Sequence, residues 1–407
     1  MVQQRSGEKS NNEAAGESEA RLKSLSHSAA TIPFSGIRRF FDIASKMEDV
    51  VSLGVGEPDF ATPWSVRESA IYSLERGQTT YTSNLGLPEL RREISKHLER
   101  LYKVSYDPEK EVLVTVGVSE GLDLAARAIL DPGDEVLIPE PCYVSYKPCV
   151  SLAGGIPVSV PTYAEKKFLL DKNDLASRTT SKTKAILIGY PSNPTGAVMP
   201  KDKLEDLVSF ACERGLYIIS DEIYDRLVYE GEHTCVASLP GAYERTITLN
   251  GFSKSYAMTG WRIGYACAAP SIITLMMKIH SYTMLCAPIT GQKAAIEALR
   301  HGDSAVADMV EQYNQRRRLI VDQLNAIGLK CHMPEGAFYA FPNITSTGLS
   351  SEEFAEQLLM KERVAVAPGT AFGAGGEGHV RCSYATGIER IEEALRRMGR
   401  FVESLRE

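Results

Sequence analysis

Residues 184–221 read KAILIGYPSNPTGAVMPKDKLEDLVSFACERGLYIISD: two short apolar runs separated by a turn and a helical pattern. Runs of this kind, bounded by turn residues, predict parallel strands buried on both faces of a sheet. The alternation extends from about 62 to 285, with strands expected at 111–116, 135–138, 184–189, 216–220, 245–249 and 263–267. Between the first two, Leu122, Ala125, Ala126, Ile129 and Leu130 line one stripe of a helix. The pattern predicts a doubly wound α/β domain with a mainly parallel sheet.

From about 290 the pattern changes to long helices at 291–327, 350–361 and 387–405, with short strands near 337–341, 363–366 and 379–384. The expected organisation is therefore a polar, disordered tail over 1–28, a segment over 29–55 that joins the smaller domain, a large domain over 56–288, and a small α+β domain over 289–407.

A chain of 407 residues with 43% hydrophobic and 24% charged residues has the size of two or three domains and an ordinary globular composition. With Lys+Arg at 45 against Asp+Glu at 52, the net charge of −7 gives no general attraction to nucleic acid or to an anionic membrane. Arg316, Arg317 and Arg318 are accordingly read as a solvated helix face. The eight cysteines form no C-x-x-C pair or Cys/His cluster, which predicts buried thiols in a reducing compartment and no metal site. No apolar run reaches the ~18 residues of a membrane span, and the polar start has no secretory core, so a cytoplasmic protein is expected. Gly373–Gly378 fits G-x-G-x-x-G but leads into a strand instead of a helix, so it is read as a loop.

The chemistry concentrates in Leu249–Arg262, LNGFSKSYAMTGWR. Lys254 is a candidate amine nucleophile if a cationic neighbour such as Arg262 helps it to shed its proton. Ser253 and Arg262 could at the same time hold a phosphate, and an aldehyde that carries a phosphate is pyridoxal phosphate. Asp221 follows a strand at its carboxyl end, where it could keep a pyridine nitrogen protonated or simply cap a helix. Tyr224, one turn on, could reach a ring hydroxyl. Asn193 in YPSNPTG could meet the same oxygen or serve only a turn. Gly117, Val118 and Ser119 open a helix after a strand, which suits anion binding and equally a plain N-cap. Tyr143 could stack on a flat ring or pack in the core. Arg381, on a short strand, could grip a carboxylate bidentately or form a surface ion pair.

In order along the chain, GEPDF, YTSNLGLPELR, GVSEGL, PCYVSY, YPSNPTG, SDEIY, SKSYAMTGWRIGY, GAFYAF and VRCSYAT resemble the class I/II pyridoxal-phosphate aminotransferases, in the branch with bacterial and archaeal aspartate aminotransferases. The resemblance runs from about residue 30 to the C-terminus. It implies the fold type I architecture of pyridoxal-phosphate-dependent transferases and a Schiff base between Lys254 and pyridoxal 5′-phosphate. Asp221 would pair with the pyridine nitrogen, Asn193 and Tyr224 would contact the ring hydroxyl, and Tyr143 would stack on the ring. Val118, Ser119, Ser253 and Arg262 would hold the phosphate, with Tyr81 reaching across from a second subunit of a homodimer. Arg381 would bind the substrate α-carboxylate, and Gly56 would close over it. The implied reaction is transfer of an amino group between an L-amino acid and a 2-oxo acid, with aspartate or an aromatic amino acid on one side and glutamate/2-oxoglutarate on the other. Well-characterised aspartate-preferring members have a lysine at the position of Ser119, so its absence keeps the aromatic alternative open. Two other functions compete: a C–S lyase on the same fold, and a pyridoxal-binding regulator, which would need a DNA-binding module that the polar N-terminus does not offer.

Overall fold

A computed structural model describes residues 25–34, 36 and 43–406, and in it the apolar runs pair into one central sheet. Numbered along the chain, β1 (Val51–Ser52) stands apart from that sheet. The sheet itself contains β2 (Val112–Thr115), β3 (Glu135–Glu140), β4 (Ile156–Pro161), β5 (Thr183–Gly189), β6 (Tyr217–Asp221), β7 (Thr246–Gly251) and β8 (Gly264–Cys267). Their order is β2-β8-β7-β6-β5-β3-β4, and β8 alone runs antiparallel to its neighbours. The other six strands point the same way, so their carboxyl ends lie along one edge.

Both faces of this sheet are covered, which is why its strands read as unbroken apolar runs. Ala185, Leu187 and Ile219 pack with Leu122, Ala125 and Ile129 of the helix Gly117–Ile129 and with Ile273 and Met276 of the helix Pro270–Thr283. The intervening residues Ile186, Ile188 and Ile218 pack with Leu204, Leu207, Val208 and Ala211 of the helix Lys201–Arg214. Each such aliphatic side chain contributes about 1.5–3 kcal/mol when fully buried. Gly215 ends the latter helix at φ 66°, a left-handed conformation that costs glycine nothing, and the chain turns directly into β6.

Beyond the sheet, β9 (Tyr339–Ala340), β11 (Ala367–Pro368) and β12 (Val380–Ser383) form a three-stranded antiparallel sheet in the order β11-β12-β9. The remaining strand, β10 (Val364–Ala365), pairs in parallel with β1, with Val51 opposite Val364. Chain contacts divide the molecule into two compact units, one ending at Pro33 and the other starting at Phe34. Of the first, residues 25–33 are described and include one helical turn, His27–Ala30. The disordered tail expected over 1–28 thus falls outside the described residues as far as 24 and gives way to this turn at its end.

Several sequence expectations need correction. β4 is a strand that the pattern missed, because Pro157 and Pro161 demote the run; the sheet accepts it as an edge strand, where a missing N–H donor can face away from the partner. The long helix expected over 291–327 is two helices, Ile289–His301 and Asp303–Ala326, parted at Gly302. Of the arginine cluster only Arg318 is on a solvated face: Arg316 and Arg317 are 6% and 1% exposed. Arg316 Nη1 donates to Asp59 at 2.8 Å, and Arg317 donates to Glu230 at 2.8 Å and to the Pro334 carbonyl at 2.7 Å, beneath the ring of Tyr229. The partners lie far away in sequence, so periodicity on one helix could not reveal them. Arg317→Ala should lower stability by about 2 kcal/mol by leaving the Pro334 carbonyl without its donor. The check is the thermal midpoint, which should fall by a few degrees while turnover stays near that of the parent enzyme.

Candidate active site

The carboxyl edge of the parallel strands and the start of β12 enclose a cavity of about 480 Å³. Val118, Ser119, Tyr143, Asn193, Asp221, Tyr224, Ser253, Lys254 and Arg262 reach it from the ends of β2, β3, β5, β6 and β7, and Gly56 and Arg381 complete the lining. Eleven of the twelve residues that the resemblance assigned to the site therefore meet in one place. The twelfth, Tyr81, is 81% exposed and does not line this cavity.

Asp221 ends β6 and is buried. Desolvation pushes its carboxyl up to about 6, opposed by the Tyr146 hydroxyl, which donates to Oδ2 at 2.8 Å, and by the Ile223 N–H on Oδ1 at 3.2 Å. A carboxylate in this position gains most from a cation placed opposite it. Lys254 Nζ donates to the Gly56 carbonyl at 2.6 Å. Burial lowers its pKa to about 8, helped by the positive charges of Arg381 and Arg262 and opposed by Glu57 and Asp221.

Arg381 is held on every side. Nη1 donates to Asn193 Oδ1 at 2.9 Å and Nη2 to the Gly54 carbonyl at 2.6 Å, while Tyr339 and Phe372 lie on its guanidinium at 4.4 and 4.9 Å. Its buried Nε has no partner among the described residues. Because Asn193 spends its carbonyl oxygen on Arg381, its amide N–H groups remain as donors.

On the opposite wall, Gly117 opens the helix Gly117–Ile129 at φ 74°, and a side chain there would strike the Arg262 guanidinium. Backbone N–H groups at this helix start and the Arg262 charge form an anion cradle, with Val118, Ser119 and Ser253 beside it. Arg262 itself sits at φ 56°, a left-handed conformation uncommon for a residue with a side chain and concentrated at functional sites.

Two contributors escaped the sequence reading. Tyr146, which bonds Asp221, stands one helical turn after Tyr143 in PCYVSY, and its spacing was the available signal. Tyr339, whose hydroxyl lies 2.7 Å from that of Tyr224, sits in GAFYAF, and nothing local distinguishes it from a core aromatic. Among the described residues no cluster of His, Cys, Asp or Glu could hold a metal, and no helix is long and apolar enough to cross a membrane. All eight cysteines are free thiols.

Comparison with known proteins places these residues in context. The sequence profile of aminotransferase class I and II matches residues 48–398. The aspartate aminotransferase of Pyrococcus abyssi is 50% identical over 367 residues, covering 89% of this chain and 94% of that protein. Aromatic-amino-acid aminotransferase 2 of Thermococcus litoralis is 46% identical over 367 residues, covering 89% and 94%. Among solved structures, the aspartate aminotransferase of Thermus thermophilus with maleate superposes with a TM-score of 0.90 at 40% identity, covering 93% of this chain and 100% of that one.

The lowered Lys254 pKa has a direct consequence for reactivity. Below about pH 8 the amine is protonated and inert, and above it the neutral form dominates. Acylation of cofactor-free protein, followed peptide by peptide by mass spectrometry, should therefore give Lys254 a midpoint near pH 8, whereas exposed lysines follow the ordinary value near 10.4. A Lys254 midpoint above 10 would contradict this electrostatic account.

Proposed function

The chain belongs to the class I and II aminotransferases, and on that premise we propose that it moves an amino group between aspartate or an aromatic L-amino acid and a 2-oxo acid, with glutamate and 2-oxoglutarate as the partner pair. The family implies pyridoxal 5′-phosphate, and the residues of the cavity fit it. The observation that carries the reading is the opposition of Lys254, an amine brought down to about 8, and Asp221, a buried carboxyl with room for a cation, within one cavity that also holds an anion cradle.

In this reading the cradle of Val118, Ser119, Ser253 and Arg262 holds the phosphate, Tyr143 covers the ring, and Asn193 and Tyr224 meet its hydroxyl. Asp221 keeps the pyridine nitrogen protonated. When bound, the cofactor supplies an electron-withdrawing ring that takes up charge from the reacting carbon. Arg381 binds the substrate α-carboxylate bidentately, with Gly56 closing over it, and so fixes the Cα–H bond toward Lys254. Lys254 Nζ, neutral at mildly alkaline pH, takes the α-proton as general base and gives it up again as general acid. Tyr81 would complete the site of a second subunit in a homodimer.

The cations on this lining are Lys254, Arg262 and Arg381, and Ser119 beside them is uncharged. Once Arg262 faces the phosphate and Arg381 the α-carboxylate, the described lining offers a substrate side chain no cation besides Lys254, and the aromatic ring of Tyr339 remains. That supports an aromatic amino acid at least as well as aspartate. The elimination reading is not favoured, since the relatives are named for amino transfer.

A panel of L-amino acids scored by conversion of the bound cofactor to its amine form should give reaction with glutamate and with aspartate or an aromatic amino acid. Pyruvate and ammonia released from cysteine conjugates without an oxo acid acceptor would point to elimination instead. Lys254→Ala should retain the fold by circular dichroism and lose turnover by about a thousandfold or more, because the covalent link and the proton carrier go together.

A further inference from the structure

The hydroxyls of Tyr224 and Tyr339 lie 2.7 Å apart, and both side chains are buried. Tyr339 also presents its ring to Arg381, 4.4 Å from the guanidinium carbon. A third contact joins them: a side chain at position 56 would collide with the Tyr339 hydroxyl, and it is the Gly56 carbonyl that accepts the Lys254 amine. One aromatic residue thus touches the carboxylate-binding arginine, the residue assigned to the ring hydroxyl, and the loop that holds the reactive lysine.

The charged and titratable groups around this pair are Arg381, Asp221, Tyr143 and Lys254. Burial raises both phenols, and the charge of Arg381, which rests on the face of Tyr339, opposes that rise at each. A phenol lying against a guanidinium is the better donor and the poorer acceptor, so Tyr339 donates to the Tyr224 oxygen and leaves the Tyr224 proton for the cavity.

We propose that Tyr339 is a positioning residue for amino transfer: its ring supports Arg381 from one face, and its hydroxyl donates to the Tyr224 oxygen and aims the Tyr224 proton at the cofactor ring, so that the grip on the substrate carboxylate and the contact to the cofactor ring are held in one register. The inference rests on the transaminase reading above. It assigns to the residue two separable duties. Removing the hydroxyl alone leaves the Tyr224 proton free to turn away from the ring oxygen, which then keeps more charge and makes the neighbouring imine more basic. Removing the ring loosens Arg381.

The test compares Tyr339→Phe, which keeps the ring, with Tyr339→Leu, which removes both features, in cofactor-loaded protein. Binding of succinate and 3-phenylpropionate, carboxylates with no amine to react, is measured by calorimetry. The pH midpoint of the visible absorption band and the separate values of kcat and KM are measured alongside. Tyr339→Phe should bind the carboxylates within about twofold of the parent, shift the band midpoint to higher pH, and reduce kcat by about 3–10-fold, the value of one hydrogen bond. Tyr339→Leu should weaken carboxylate binding by about 5–30-fold, with KM rising in step. Should the leucine variant not fold, Tyr339→Met fills the volume without an aromatic face and serves in its place. A band midpoint and kcat unchanged in Tyr339→Phe would overturn the hydroxyl's role, and parental carboxylate binding without the ring would overturn the ring's. A parent enzyme that transaminates while both variants match it removes this inference alone; a parent that transaminates no amino acid removes the transaminase reading with it.

Discussion

Two carboxylates buried side by side at the end of β6 set the terms for everything around them. Asp221 and Glu222 follow each other in the chain, and extended backbone sends them to opposite sides. Glu222 is fully provided for: His233 Nε2 lies 2.9 Å away, the Ser220 hydroxyl 2.9 Å and the Val236 N–H 3.1 Å. His233 is in turn held more basic than usual, since the hydrogen bond and charge of Glu222 outweigh the desolvation that opposes them. Asp221 has only the Tyr146 hydroxyl and one backbone N–H, so burial still dominates its titration. Of the two, it is the carboxylate with capacity left for a cation, and it is the one that faces the cavity.

A second constraint is the crowding of positive charge. Lys254, Arg381 and Arg262 share one cavity; burial lowers the lysine most, and repulsion from the two arginines adds to it. The two arginines are each tethered elsewhere. Arg381 is fixed by Asn193, the Gly54 carbonyl and two aromatic faces; Arg262 donates to the Thr259 carbonyl at 3.1 Å and reaches the helix start at Gly117. An amine that must lose a proton is thereby set between two guanidiniums that cannot.

The legibility of this molecule in its sequence was uneven for identifiable reasons. β5 and β6 could be read because a strand covered on both faces must be apolar at every position. Lys254 and Arg262 could be read because they share one short segment with Ser253. The family likeness extended this to Asn193, Tyr143 and Arg381, whose local sequence suits a turn, a core aromatic or a surface arginine equally well. β4 was hidden by its prolines, and Tyr146 and Tyr339 by their resemblance to any buried tyrosine. Arg316 and Arg317 were misjudged because a charge on a helix is usually solvated unless a distant partner meets it, and here Asp59 and Glu230 do.

Hydrophobic periodicity, turn residues and the order of motifs are properties of neighbours along the chain, and from them alone the α/β architecture, the family and the candidate lysine follow. Contacts between distant segments are a different matter. Arg381 bonds Gly54 and Asn193 across 327 and 188 positions, and Lys254 reaches Gly56 across 198. Only the folded chain decides which oxygen each donor finds, because that depends on how separately specified strands and loops pack. That packing sets the desolvation and the charge pairing from which the basicity of Lys254 and Asp221 arises.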